Sequence, residues 1–265
     1  MLAMQPSDSA EGLEVRTYFV RSRNALVARA DFGELYVDYY LHQGQHGNQH
    51  EPAHDTLLKE ALAALTLHCA TRPWNESWAW TLHFTEPLLN LFVTGDNRRG
   101  IVVGQLFTEG VKPDDQPRFI ADLVRERGEP RRSVVEFEGA DVLAAVEHFY
   151  AQSEQRPARY FRFGPEEFVI VVAQPQCDLQ WLEALDDAAI RALDATETLT
   201  LLEQRHYRWE CGCTQDRMLA VLGPIMRRDP AALFGDEEVL RLSCPRCGAR
   251  HVVTRETLEA FVSAD

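Results

Sequence analysis

Four cysteines near the end of the chain restrict what it can fold into more than any other feature. Cys211-Gly212-Cys213 is followed, after thirty residues, by Cys244-Pro245-Arg246-Cys247. Two close pairs separated by a long excursion are how one chain assembles a four-thiolate metal centre. The spacing suits Zn²⁺, which takes four cysteines tetrahedrally and has no redox chemistry of its own. The surrounding segment is too short to hold much of a core. Metal binding supplies roughly 10–16 kcal/mol of apparent folding free energy to modules of this kind. Spacing alone favours an inert structural zinc ribbon; an iron–sulfur cluster also uses four cysteines. Cys244 and Cys247 lie in no βαβ pattern, which argues against a thioredoxin-like pair. The chemistry also allows reactivity. Metal-bound cysteines are thiolates, the form that oxidants attack. A disulfide would remove two ligands at once and, with them, the free energy that folds the module.

Charge narrows the partners. The net charge is −14, and residues 177–204 carry seven acidic groups against the single base Arg191. No region has the basic excess that neutralises phosphates, so nucleic acid is not an expected partner. The longest apolar runs, such as 168–173, are too short to cross a bilayer, so no membrane is expected either. Met1 to Ser9 lacks a basic segment followed by an apolar run. A cytoplasmic location follows, where paired cysteines bind metal or respond to redox change rather than forming a disulfide framework. No phosphate loop, GxGxxG, GxSxG or HExxH is present, and no nucleophile stands beside a base, so an enzyme is not expected.

Periodicity predicts an α+β fold in three parts. Residues 1–176 form a mixed-sheet domain with two main helices, 177–208 an acidic helical linker, and 209–265 a small four-cysteine, zinc-binding domain. In the first part, alternation predicts two or three strands over 15–40 and short strands at 78–84, 88–94, 101–107, 133–138, 159–163 and 168–173. Helices are expected from Asp55, as N-cap, to about Cys69, and from Ala140 to Ser153. Gly44, Gly47, Asn48 and Pro52 predict a loop over 42–52, and 109–118 reads as another. In the linker, Trp181, Leu185, Ala189 and Leu193 recur every four residues, as in an amphipathic helix or helix pair. In the last part, Thr214 can cap a helix over 215–222 that Gly223-Pro224 interrupts. A short strand at 250–253 and a helix from Thr254 end the chain.

The cysteine pattern resembles the redox-regulated heat-shock holdases, the family of heat-shock protein 33. A second match lies away from the cysteines. Phe149-Tyr150-Ala151-Gln152-Ser153-Glu154-Gln155-Arg156-Pro157 resembles the family's aromatic-x-x-Ser-Glu-Gln-x-Pro segment. Asn90-Leu91, Gly95 and Arg99-Gly100 resemble its central hairpin, and Gln174-Pro175 the end of its substrate-binding domain. Glu166-Glu167-Phe168 stands where the family usually has a Gly-Gly pair. The resemblance implies an ATP-independent holdase, with one Zn²⁺ held by Cys211, Cys213, Cys244 and Cys247 and inactive when reduced. It implies that oxidation forms Cys211–Cys213 and Cys244–Cys247 disulfides, releases zinc, unfolds the linker and exposes a surface for unfolding client proteins. ATP-driven foldase chaperones would then receive the clients, and the oxidised form could be a homodimer. The alternative is a constitutive binding protein, a constitutive chaperone or an enzyme that carries a purely structural zinc ribbon.

Other residues carry weaker readings. His42, His46, His50 and His54 are spaced by four, but the glycines and proline among them favour a solvated loop over a metal site. Cys69 reads as core and Cys177 as a further thiol at the linker start. His206 and His251 flank the cysteines and either could replace one as ligand. Trp78, Trp80 and Phe84 alternate on one strand face, usually core, though a client-binding face would look the same.

Overall fold

The structure is a computed structural model, which describes residues 12–264. The N-terminal residues read for a secretory signal lie outside these. Twelve strands and nine α-helices are described. In chain order they begin with β1 (Leu13–Val20), β2 (Ala25–Asp31), α1 (Gly33–His46) and α2 (Pro52–Ala70). Then come β3 (Glu76–Thr85), β4 (Leu88–Asp96), β5 (Ile101–Phe107), β6 (Arg118–Arg125) and β7 (Arg131–Glu136). α3 (Val142–Phe149) continues as a π-helical turn over Tyr150–Glu154, and β8 (Ala158–Phe163) and β9 (Glu167–Ala173) follow. The linker holds α4 (Leu179–Ala184), α5 (Asp187–Arg191), α6 (Leu193–Thr196) and β10 (Leu199–Trp209). The chain ends with α7 (Gln215–Arg228), α8 (Pro230–Phe234), β11 (Val239–Ser243), β12 (Arg250–Thr254) and α9 (Arg255–Ala264).

Ten strands form one sheet in the order β7-β6-β3-β4-β5-β10-β1-β2-β9-β8. Every pairing is antiparallel except β5–β10, which is parallel and limited to Arg208 opposite Ile101 and Trp209 opposite Val102. One face packs on α1, α2 and α3. α2 is buried on almost every side from Leu58 onward, as a helix apolar all round should be. It lies so close to the sheet that a Cβ on Gly95 would stand 2.8 Å from Cys69 Sγ, and one on Gly104 3.1 Å from Leu58 and from Leu62. Trp78, Trp80 and Phe84 point into this core, and Cys69 lies in it as expected.

Several expectations are corrected. The segment 32–36 is not a strand, and 42–46 is not a loop: α1 spans both, giving the first part three helices rather than two. Leu35, Tyr36, Tyr39 and Gln43 bury one side of α1, and Gly47 ends it in the left-handed conformation (φ 62°). The buried stripe outweighs the helix cost of Gly44, whose missing side chain faces open space. α2 starts at Pro52 rather than Asp55, with proline in the first helical turn where no N–H is required. In the last part, α7 runs through Pro224 to Arg228, with Thr214 accepting from the Arg217 N–H as its cap. The strand β6 was not foreseen. The linker is helical only to Thr196; its remainder is β10, inside the main sheet.

Candidate metal centre and the linker that leads to it

Cys211 and Cys213 follow directly on β10, and Cys244 and Cys247 form the turn between β11 and β12. The two elements meet so that all four sulfurs lie within 4.8 Å of one another. Cys211 Sγ is 3.6 Å from Cys244 Sγ, and Cys213 Sγ is 3.5 Å from Cys247 Sγ. Four sulfurs at Zn–S bonds of about 2.3 Å in a tetrahedron stand about 3.8 Å apart, so these residues fit Zn²⁺. His206 on β10 and His251 on β12 are outside the group.

Local sequence explains the shape. Gly212, at φ +66°, turns the chain so that both flanking thiols face one point, and the Arg217 guanidinium donates to its carbonyl at 2.8 Å. In the second turn, the Gly248 N–H donates to the Cys244 carbonyl and the Cys244 N–H to the Ala249 carbonyl, both at 2.8 Å. Cys211, Cys244, Cys247, Ala249 and Val103 of β5 bury one another, with Trp209 packed alongside. The Arg246 guanidinium reaches Thr94 of β4 at 2.9 Å.

Four sulfurs this close cannot all be thiolates unless a cation neutralises them. Hydrogen bonds from the Cys211 and Cys247 thiols, followed by the Arg246 and Cys247 N–H groups, hold the Cys244 thiol far below its usual range. The same sharing, with burial, pushes Cys247 up. Burial pushes Cys213 up to about 12. A divalent cation is the partner this donor set calls for.

The linker covers the second face of the sheet over β1, β2, β9 and β8. Val20, Val27, Phe161, Phe163, Val169 and Val171 pack against Leu182, Leu185, Ile190 and Leu193, with Cys177 at the margin. Ion pairs fix it from the sheet side. Arg23, in the β1–β2 turn, bridges both ends of the linker, to Asp178 at 2.7 Å and Glu197 at 2.9 Å. It also lies over Trp181, 5.6 Å from the ring centre. Arg29 pairs with Asp194 at 2.6 Å and 2.9 Å. Three of the linker's acids, Asp178, Asp194 and Glu197, are thereby matched against arginines; sequence separation had concealed the pairing.

A family model described as Hsp33 protein matches residues 171–254, the linker and both cysteine pairs. The 33 kDa chaperonin of Shewanella sp. (strain ANA-3) is 26% identical over 253 residues, covering 84% of this chain and 87% of that protein. The 33 kDa chaperonin of Proteus mirabilis (strain HI4320) is 22% identical, covering 85% and 90%. In fold, the chain matches the crystal structure of the 33 kDa chaperonin (HSP33) from Thermotoga maritima with a TM-score of 0.73. That match has 13% identity and covers 96% of this chain and 99% of the other.

The chain is similar to the Hsp33 proteins, in sequence over the linker and cysteine segment and in fold over nearly its whole length. The match to the Thermotoga Hsp33 runs nearly end to end, through the large sheet, the helices and the cysteine module alike. Among the described residues, no helix is long and apolar enough to cross a membrane. The four histidines spaced by four do not act as a unit. His42 and His46 are on the last turns of α1, His50 lies between the helices, and His54 is in the first turn of α2.

Proposed function

We propose that this chain is a redox-regulated, ATP-independent holdase of the cytoplasm, which binds unfolding proteins when its cysteine site has been oxidised. One observation carries the reading. The four-thiol site terminates β10, and β10 is the continuation of a linker that covers an apolar sheet face. Loss of order at the site therefore loosens the anchor of the linker, and a loosened linker uncovers surface of the kind an unfolding client seeks.

Cys211, Cys213, Cys244 and Cys247 would hold Zn²⁺ in the reduced state. When bound, zinc keeps all four thiols deprotonated and supplies the folding free energy the module lacks. On oxidation, Cys211 pairs with Cys213 and Cys244 with Cys247. Each new S–S bond gives two electrons to one hydrogen peroxide, whose O–O bond breaks to leave two hydroxides that take protons from solvent and become water. No sulfur ligand then remains for the cation. Gly212 permits the bend the first pair needs, and a ring that small should be strained and readily reduced again. Clients would pass to ATP-driven foldases, and the oxidised chain would be free to pair with a second copy.

The test is zinc content and suppression of aggregation of a heat-labile client, measured before peroxide, after it, and after dithiothreitol. The expected course is one zinc and no protection, then no zinc and protection, then recovery of the first state on reduction with added zinc. Oxidised, zinc-free protein that protects no better than reduced protein would leave a structural zinc ribbon as the better reading.

A further inference from the structure

His42, His46 and Asn48 are about two hundred positions from the second cysteine turn in sequence and against it in space. His42 Nε2 donates to the Cys247 carbonyl at 2.9 Å. The Asn48 amide donates to the next carbonyl, that of Gly248. The Arg250 N–H donates to His46 Nδ1 at 3.1 Å, and the Arg250 guanidinium to the Gly47 carbonyl at 3.0 Å. The left-handed Gly47 makes this possible, because it turns the chain at the end of α1 so that 47 and 48 face the cysteine turn.

The fit is close. A Cβ on Gly248 would stand 2.4 Å from Gln105 Oε1 and 2.6 Å from Asn48 Nδ2. His42 is also wedged beside Trp209, with ring centres 5.5 Å apart, and Trp209 ends the strand that delivers Cys211. The end of α1 thus touches both arms of the cysteine site. Within the second turn, the Cys244 and Ala249 carbonyls are already used locally. The Cys247 and Gly248 carbonyls are the ones handed to His42 and Asn48.

We propose that the end of α1 is a clasp on the second cysteine turn, and that its grip sets how fast the four-thiolate site gives up its metal. The proposal rests on the reading that the site holds zinc. To leave the cluster, the Cys247 sulfur must swing with its backbone. That backbone is pinned at two successive carbonyls, so opening requires both bonds to break together. The rate of metal loss is then the rate of a local opening, governed by contacts that touch no sulfur.

The experiment compares the zinc-loaded, reduced, full-length chain with the double variant His42→Ala/Asn48→Ala. Zinc transfer to a chromogenic chelator in excess and amide hydrogen exchange over 244–254 are both read. The double variant is expected to bind one zinc, keep the parent's circular dichroism, and release zinc about tenfold faster, the factor given by roughly 1.4 kcal/mol. His42→Gln, whose amide can donate to the same carbonyl, is expected to stay near the parent. Val37→Ala, on the exposed side of α1, is expected to change nothing. Release by the double variant at the parent's rate, or equal acceleration by Val37→Ala, overturns the clasp. If the parent holds no zinc, the metal reading fails instead. Hydrogen exchange at 247–250 then decides the clasp alone, and unchanged protection in the double variant overturns it.

Discussion

The main sheet and the C-terminal module solve the same problem by opposite means. The sheet buries Trp80, Phe84, Phe119, Phe149, Tyr150 and much of α2 in one continuous core. The module has Leu219, Leu222, Met226, Phe234, Val253 and Leu258, with a few half-buried neighbours. Its two strands, β11 and β12, form a sheet of their own, and two strands are marginal in water without help. The first region is held by burial, which no chemical signal removes. The second would be held by a cation at its four thiols and by docking contacts, both of which can be taken away. A reversible switch needs the second kind of stability.

Substitutions can break this contrast. The largest expected effect is Cys244→Ser. It should abolish stoichiometric zinc binding and remove the metal-dependent folding free energy, roughly 10–16 kcal/mol for modules of this type. Hydrogen exchange should then be fast over 211–264 while β3 and β4 stay protected; protection retained across the module would show that it does not depend on metal. Trp80→Ala should do the reverse. It should cost the sheet about 3–5 kcal/mol, seen as a lower main thermal transition, with zinc stoichiometry unchanged. A smaller effect is expected from Arg23→Ala, which frees both ends of the linker from one side chain. Exchange should quicken over 179–196, with little change in β1 or β2.

Acid should act in the same direction as Arg23→Ala and more weakly. The Arg29 hydrogen bond is the main force holding the Asp194 carboxyl below its ordinary value of 3.8. The Trp181 N–H, then Arg23, does the same for Asp178. A depressed carboxylate adds stability above its unfolded pKa, which is lost as the pH falls through the folded value. The linker should therefore loosen below about pH 3.8 and tighten above it. Exchange over 179–196 that does not depend on pH across that window, after correction for intrinsic rates, would show that the ion pairs add nothing.

The cysteine site was readable in sequence because metal geometry constrains spacing directly: short pairs and a long loop have few other uses. The strand carrying Trp78, Trp80 and Phe84 was readable because one face alternates strictly. α1 was not. Its buried side is made of Tyr36, Tyr39 and Gln43 with Leu35, polar atoms that find partners only in the fold, as Tyr39 does in Asp55 at 2.7 Å. Pro224 suggested a break in α7, but Leu219, Leu222 and Met226 bury together and carry the helix across it. The acidic linker was legible as a helix former and not as half of a set of ion pairs, because its partners Arg23 and Arg29 are more than 150 positions away. The histidine spacing was visible, but its meaning depended on what stood opposite.

β10 stands between β5 and β1, at the seam of the ten-stranded sheet, although it comes after every other strand of that sheet in the chain. A ribosome therefore delivers the two flanking half-sheets first and the strand that joins them last. Until residues 199–209 emerge, β1 and β5 each present an unpaired edge, the kind of surface that invites association with other chains. The module that follows arrives only after the seam has been closed. During synthesis, then, a protein read here as a guard for other unfolding chains passes through an interval in which it needs the same protection itself.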